Sequence, residues 1–228
     1  MVEIIPAIMP RSFKEIEEKT SAVSGLVKTV QIDVMDGIFV PDKSWPYEGD
    51  DRSIFEKLKT GEVPMPHWRD VDFEIDLMVK EPYNAIASWL SVGAARIIIH
   101  LESASELDKI VEEYDLSDVC ELGLALDIRT PNEAIYPWIS KFKFIQFMGI
   151  EEIGFQGEPF SPKVIPKIKD LRECFPEAII SVDGGVNLEN AFSIIDAGAN
   201  RLVSGSAIWK SGYVKEAIEK FKNADLRG

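Results

Sequence analysis

Three aspartates in this chain stand inside or at the ends of apolar runs, where a charge is costly unless it is paired, liganded or used. Asp33 follows Gln31 in Gln31-Ile32-Asp33-Val34-Met35-Asp36-Gly37, Asp76 leads into Leu77-Met78, and Asp183 closes Ser181-Val182-Asp183-Gly184-Gly185. In extended backbone, alternation turns Gln31, Asp33 and Met35 to one face. Carboxylates gathered in this way can exchange a proton with a substrate or hold a hard cation. Glycines form a second pattern, Gly154-Phe155-Gln156-Gly157, Gly184-Gly185 and Gly205-Ser206. Each precedes an expected helix start, and backbone N–H groups with no Cβ to hold a ligand off make a phosphate cradle. Histidine and cysteine are scarce: His67, His100, Cys120 and Cys174 are scattered without ligand spacing. A divalent metal, if bound, must therefore be held mainly by oxygen.

Short apolar, β-branched runs recur along the chain and supply a frame for these residues. The clearest are Ile4–Ile8, Val30–Val34, Phe73–Val79, Arg96–His100, Leu122–Leu126, Phe144–Met148, Ile179–Val182 and Leu202–Ser204. Between them lie amphipathic stretches such as Phe13–Val23, Leu107–Tyr114 and Ala191–Ala197, with apolar positions three and four apart. Strand and helix alternating eight times predict an α/β fold, a closed (β/α)8 TIM barrel in a single domain over residues 1–228. The aspartates and glycines then fall at the C-terminal strand ends, the mouth of such a barrel. One connection, Gly37 to Asp72, is unusually long and rich in Pro and aromatics, with a helix expected over Asp51–Leu58. It reads as an ordered excursion, either a packed flap or a cover over substrate, and His67 as one of its surface residues. The acidic run Glu102–Asp118 reads as a solvated helix face.

Composition narrows the partners. With 25 Lys+Arg against 39 Asp+Glu, the formal charge is −14. That balance argues against nucleic acid and anionic membranes, both of which need basic patches, but not against a small anionic substrate. No long apolar stretch or leader-like start is present, so the cytoplasm is the expected compartment, with both cysteines reduced. A homo-oligomer stays open.

From Ile5 to Trp209 the chain resembles the ribulose-phosphate 3-epimerase family. The resemblance rests on Pro6-Ala7-Ile8-Met9, the run Asp33 to Pro41, Leu77-Met78-Val79-Lys80-Glu81-Pro82 and His100-Leu101-Glu102. Thr130-Pro131, Asp183-Gly184-Gly185-Val186, and Ala197-Gly198-Ala199 through Gly205-Ser206-Ala207-Ile208 complete it. It implies a barrel enzyme that interconverts ribulose 5-phosphate and xylulose 5-phosphate by proton exchange at C3. Asp33 and Asp183 match the two acid–base aspartates. Met35, Met78 and Met148 match the methionines beside the substrate, and His100 stands where the family also has a histidine, in contact with substrate or in a hydrogen-bonded structural role. Gly154, Gly157, Gly184, Gly185, Gly205 and Ser206 fall in the phosphate site. The family's metal sits on two His and two Asp, and here the His positions carry Gln31 and Asp76. Ala7 replaces the usual serine, and the phosphate loop is rewritten as Glu152-Ile153-Gly154-Phe155-Gln156-Gly157-Glu158.

Gln31, Asp33, Asp76 and Asp183 would give a divalent ion three negative charges from oxygen ligands. Such a set favours Mg²⁺ or Mn²⁺ over Zn²⁺. Without an ion, three neighbouring carboxylates cannot all stay charged, and at least one pKa should rise. Two other readings stand beside the epimerase: another phosphosugar isomerase, aldolase or lyase on this scaffold, or a catalytically silent protein that binds a phosphorylated ligand. Met35 occupies the position where the related decarboxylase and hexulose-phosphate synthase group has a lysine, which argues against that branch.

Overall fold

The structure, a computed structural model, describes residues 2–114 and 119–224. Eight parallel strands close into one barrel in sequence order, the last pairing with the first. They are β1 (Glu3–Ile8), β2 (Thr29–Met35), β3 (Asp72–Met78), β4 (Arg96–His100), β5 (Glu121–Leu126), β6 (Phe144–Met148), β7 (Ile180–Asp183) and β8 (Arg201–Ser204). All eight lie within two residues of the runs read from sequence, the margin within which strand ends are defined at all. Every residue of β2 is buried. That is the mark of a parallel strand covered on both faces, and it explains the near-continuous apolar runs.

The helices are α1 (Phe13–Val23), α2 (Ser53–Lys59), α3 (Tyr83–Val92), α4 (Leu107–Glu113), α5 (Val164–Cys174), α6 (Ala191–Asp196), α7 (Ser206–Trp209) and α8 (Val214–Lys222). Ser12 caps α1, its hydroxyl accepting from the Glu15 N–H at 3.3 Å. Ile16, Thr20 and Val23, spaced four and three apart, form the buried face of that helix. The alternation breaks once. Between β5 and β6 two single 3₁₀ turns, Asn132–Ala134 and Tyr136–Trp138, stand where an α-helix was expected. Pro131 and Pro137, with no N–H to donate, suit short turns better than a continuing α-helix. In the acidic run, α4 exposes Asp108, Glu112 and Glu113 and buries Leu107 and Ile110. Residues 115–118, the end of that run, lie outside the described residues.

The long excursion is packed. Trp45 is fully buried, its ring 5.5 Å from Phe13, 5.4 Å from Phe55 and 6.2 Å from Trp89. Ser44 ties it to β2, donating to the Asp33 carbonyl at 2.7 Å and accepting from the Met35 N–H at 2.9 Å. Arg11 clamps it from the β1 side through Asp42 at 2.6 Å and Glu48 at 2.8 Å. His67 is exposed there, as expected.

Inside the barrel, Gly123 leaves space that the Phe144 ring fills: a Cβ there would come within 2.4 Å of it. Arg201 lies over the same ring, 4.5 Å from its centre. At the N-terminal end, Arg96 pairs with Glu3, Glu74 and Glu121, and Arg201 with Glu3 and Glu121. This ionic floor lies at the opposite end of the strands from the aspartates.

Candidate active site

Register assembles the acids. Asp33 on β2 sits directly beside Asp76 on β3, and Asp183 ends β7 opposite Met148. One oxygen from each of Asp33, Asp76 and Asp183 lies within 4.8 Å of the others. Gln31, two residues before Asp33 and so on the same face, joins two of them. Its amide nitrogen donates to Asp33 Oδ1 at 2.8 Å and to Asp183 Oδ2 at 2.7 Å, using both hydrogens. Its Oε1 is buried and has no hydrogen-bond partner.

Asp76 is held from the other side. His100 Nε2 lies 2.9 Å from Asp76 Oδ1, and Gln146 Nε2 donates to Asp76 Oδ2 at 3.0 Å. Ser181 in turn donates to Gln146 Oε1 at 3.1 Å. Asp76, His100, Gln146 and Ser181 are all fully buried. Sequence reasoning overlooked Gln146 and Ser181, although each stands two residues before a residue it did select, Met148 and Asp183. Strand alternation was the signal available.

Burial and crowding set the protonation of the pair. Burial, with the charges of Asp183 and Asp76 added, pushes Asp33 well above the usual carboxylate range, against the hydrogen bond from Gln31. Burial and the charge of Asp76 push Asp183 up to about 7, opposed by the bonds from Gln31 and the Gly184 N–H. For His100 burial favours the neutral ring, but the adjoining Asp76 carboxylate outweighs it and raises the pKa.

Beside the acids a cavity opens at the barrel mouth. Asp33, Asp183, Met78 and Met148 line it, as do all six cradle residues, Gly154, Gly157, Gly184, Gly185, Gly205 and Ser206. Gly185, at φ 67°, belongs there for two reasons: its backbone is left-handed, and a Cβ would meet the Phe160 backbone at 2.5 Å. Met35, Gln31, Asp76 and His100 are not among the lining residues. Met35 packs with Val40 and Met78, while His100 is 5.4 Å from the Phe39 ring. Two donors next to the cradle were not foreseen. The Gln156 amide nitrogen lies 3.5 Å from where a Cβ on Gly205 would stand, and the Lys210 ammonium 3.5 Å from the same point on Gly157. Across the mouth, Val40 from the long excursion packs on Gly154, where a Cβ would be 2.6 Å away.

The three carboxylates form a cluster that could hold a divalent cation. The donor set meets one only after a rearrangement, because Gln31 Nε2 stands between Asp33 and Asp183 and its orphaned Oε1 supplies a fourth oxygen once the amide turns over.

Buried acids gathered at the C-terminal mouth of a closed parallel barrel mark an enzyme of the TIM-barrel class. Within that class the chain belongs to the ribulose-phosphate 3 epimerase family, whose profile matches residues 3–209. It is 29% identical to ribulose-phosphate 3-epimerase of Bacillus subtilis (strain 168), covering 98% of this chain and 100% of the relative. It is 30% identical to the chloroplastic ribulose-5-phosphate-3-epimerase of Arabidopsis thaliana over 96% of this chain and 75% of the relative. Among solved structures, KGPDC from Streptococcus mutans superposes with a TM-score of 0.72, at 15% identity, over 99% of this chain and 98% of that one. That likeness shows the shared barrel. No helix among the described residues is long and apolar enough to cross a membrane.

Proposed function

We propose that this protein interconverts ribulose 5-phosphate and xylulose 5-phosphate, with Asp33 and Asp183 exchanging the proton at C3. The observation that carries the reading is the pair itself: two acids from distant strands lining one cavity, bridged by one amide and both displaced upward in pKa. Near neutral pH such a pair holds about one proton, so it offers a base and an acid together. In one direction the ionised carboxylate removes the C3 proton, the electrons move onto the C2 oxygen to give an enediolate, and the other carboxyl returns a proton to the opposite face. The reverse reaction exchanges the roles. The glycine cradle, with Gln156 and Lys210 beside it, would hold the phosphate and so place C3 between the acids. Met78 and Met148 would supply apolar walls that keep water from the carbanionic carbon.

Asp33, Asp76, Asp183 and the turned-over Gln31 Oε1 would hold a divalent ion, Mg²⁺ or Mn²⁺ rather than Zn²⁺ from its oxygen donors. When bound, the ion supplies a Lewis acid at the substrate's oxygens. The cytoplasm suits the two cysteines, both free, Cys120 buried and Cys174 exposed.

The test is wash-in of solvent deuterium at C3 of ribulose 5-phosphate. Asp33→Asn and Asp183→Asn should each slow it by roughly 10²- to 10⁴-fold. Undiminished exchange in both variants would defeat the assignment. Turnover of other phosphosugars but not this one would move the protein to the aldolase or lyase reading.

A further inference from the structure

We propose that Gln31 takes the place of a cation between Asp33 and Asp183, so that the acid–base centre is complete without a divalent ion. This rests on the epimerase reading and specifies how its site is held together. Two buried carboxylates facing each other need something positive or proton-donating between them. Here it is a single nitrogen, 2.8 Å from one acid and 2.7 Å from the other. With one proton shared by the pair, at least one acid stays an ionised acceptor, and there Oε1 in place of the NH₂ end would set acceptor against acceptor. The carboxylates hold this orientation even though it leaves Oε1 buried and unpartnered, a cost that burial makes substantial.

The third acid is already served. Both Asp76 oxygens accept from other strands, one from His100 on the adjacent β4 at 2.9 Å and the other from Gln146 on β6 at 3.0 Å. A cation drawing on Asp33 Oδ1 and Asp183 Oδ2 must displace the Gln31 nitrogen. Gln31 is therefore a positioning residue whose donor end keeps the two acids at working distance, and whose acceptor end faces a cation only after the amide has turned.

The full-length protein, stripped with chelator and verified by elemental analysis, is compared with Gln31→Glu, which keeps the shape of the side chain and loses its donors. Gln31→His is the second variant, removing the bridge and offering a ring nitrogen. Thermal melting confirms that each is folded. Two quantities are read: Mn²⁺ affinity by calorimetry and deuterium wash-in at C3 with and without Mn²⁺. Stripped wild type is expected to exchange within about twofold of its Mn²⁺-supplied rate, a difference that corresponds to less than about half a kcal/mol. Both variants should bind Mn²⁺ at least about tenfold more tightly and exchange only in its presence. The inference is overturned if stripped wild type loses exchange and Mn²⁺ restores it, or if neither variant binds Mn²⁺ more tightly. Should no form exchange under any condition, the epimerase reading fails, while the affinities still decide what occupies the place between the acids.

Discussion

Asp33 and Asp183 stood out as candidates because each interrupts an apolar run, and Gln31 was tied to Asp33 by alternation and to the site by the family resemblance. What remained hidden was which side chains hold Asp76. His100 is separated from Asp76 by 24 positions and reaches it through the pairing of β3 with β4, while Gln146, 70 positions away on β6, reaches it only across the barrel interior. The consequence for activity is a pH profile. With Asp183 raised to about 7, lowering the pH below that value protonates the acid needed in ionised form, so kcat/KM should fall on the acid side with a limb near 7. Asp33 is displaced in the same direction, by burial and by the neighbouring charges of Asp183 and Asp76. An acid limb near 4, the range of an ordinary carboxylate, would contradict this arrangement.

At the scale of the elements, strands were easier to read than connections. A strand of a parallel barrel declares itself through burial on both faces, whereas the 3₁₀ turns before β6 and the path of the long excursion depend on contacts distant in sequence. The sequence left open whether that excursion is a packed flap or a cover. The structure shows packing, through Trp45 among Phe13, Phe55 and Trp89, and an approach to the mouth, through Val40 on Gly154. Trp45→Ala should therefore behave as a core truncation, lowering unfolding free energy by about 3 to 5 kcal/mol in urea titrations. A loss below about 1 kcal/mol would mean that the excursion is not anchored there.

The whole molecule separates its charges by end. At the mouth the acids face neutral amides and one histidine; at the floor they face Arg96 and Arg201. Even there one acid is under-compensated. Burial, only partly offset by Arg96 and Arg201, raises Glu74 from its ordinary 4.5 to about 7. A folded-state pKa above the unfolded one gives a stabilising contribution that is complete below about 4.5 and is lost as pH rises through about 7. Glu74→Gln keeps the shape without the ionisation, and Arg96 retains Glu3 and Glu121. Relative to wild type, the variant should gain stability between pH 5 and 8, on the order of 2 to 3 kcal/mol. Denaturant titrations at the two pH values read the difference, and an unchanged difference would show that Glu74 does not titrate there.

Barrels of this class are commonly regarded as a constant frame carrying independently replaceable loops. The contact of Val40 with Gly154 limits that modularity. The two connections leave β2 and β6, opposed in a ring of eight strands, and still meet at Val40 and Gly154. Neither can be lengthened or grafted alone, because even a methyl group at position 154 would come within 2.6 Å of the valine. In this protein the unit of exchange is the pair of loops, and a redesign of substrate preference has to transplant both together.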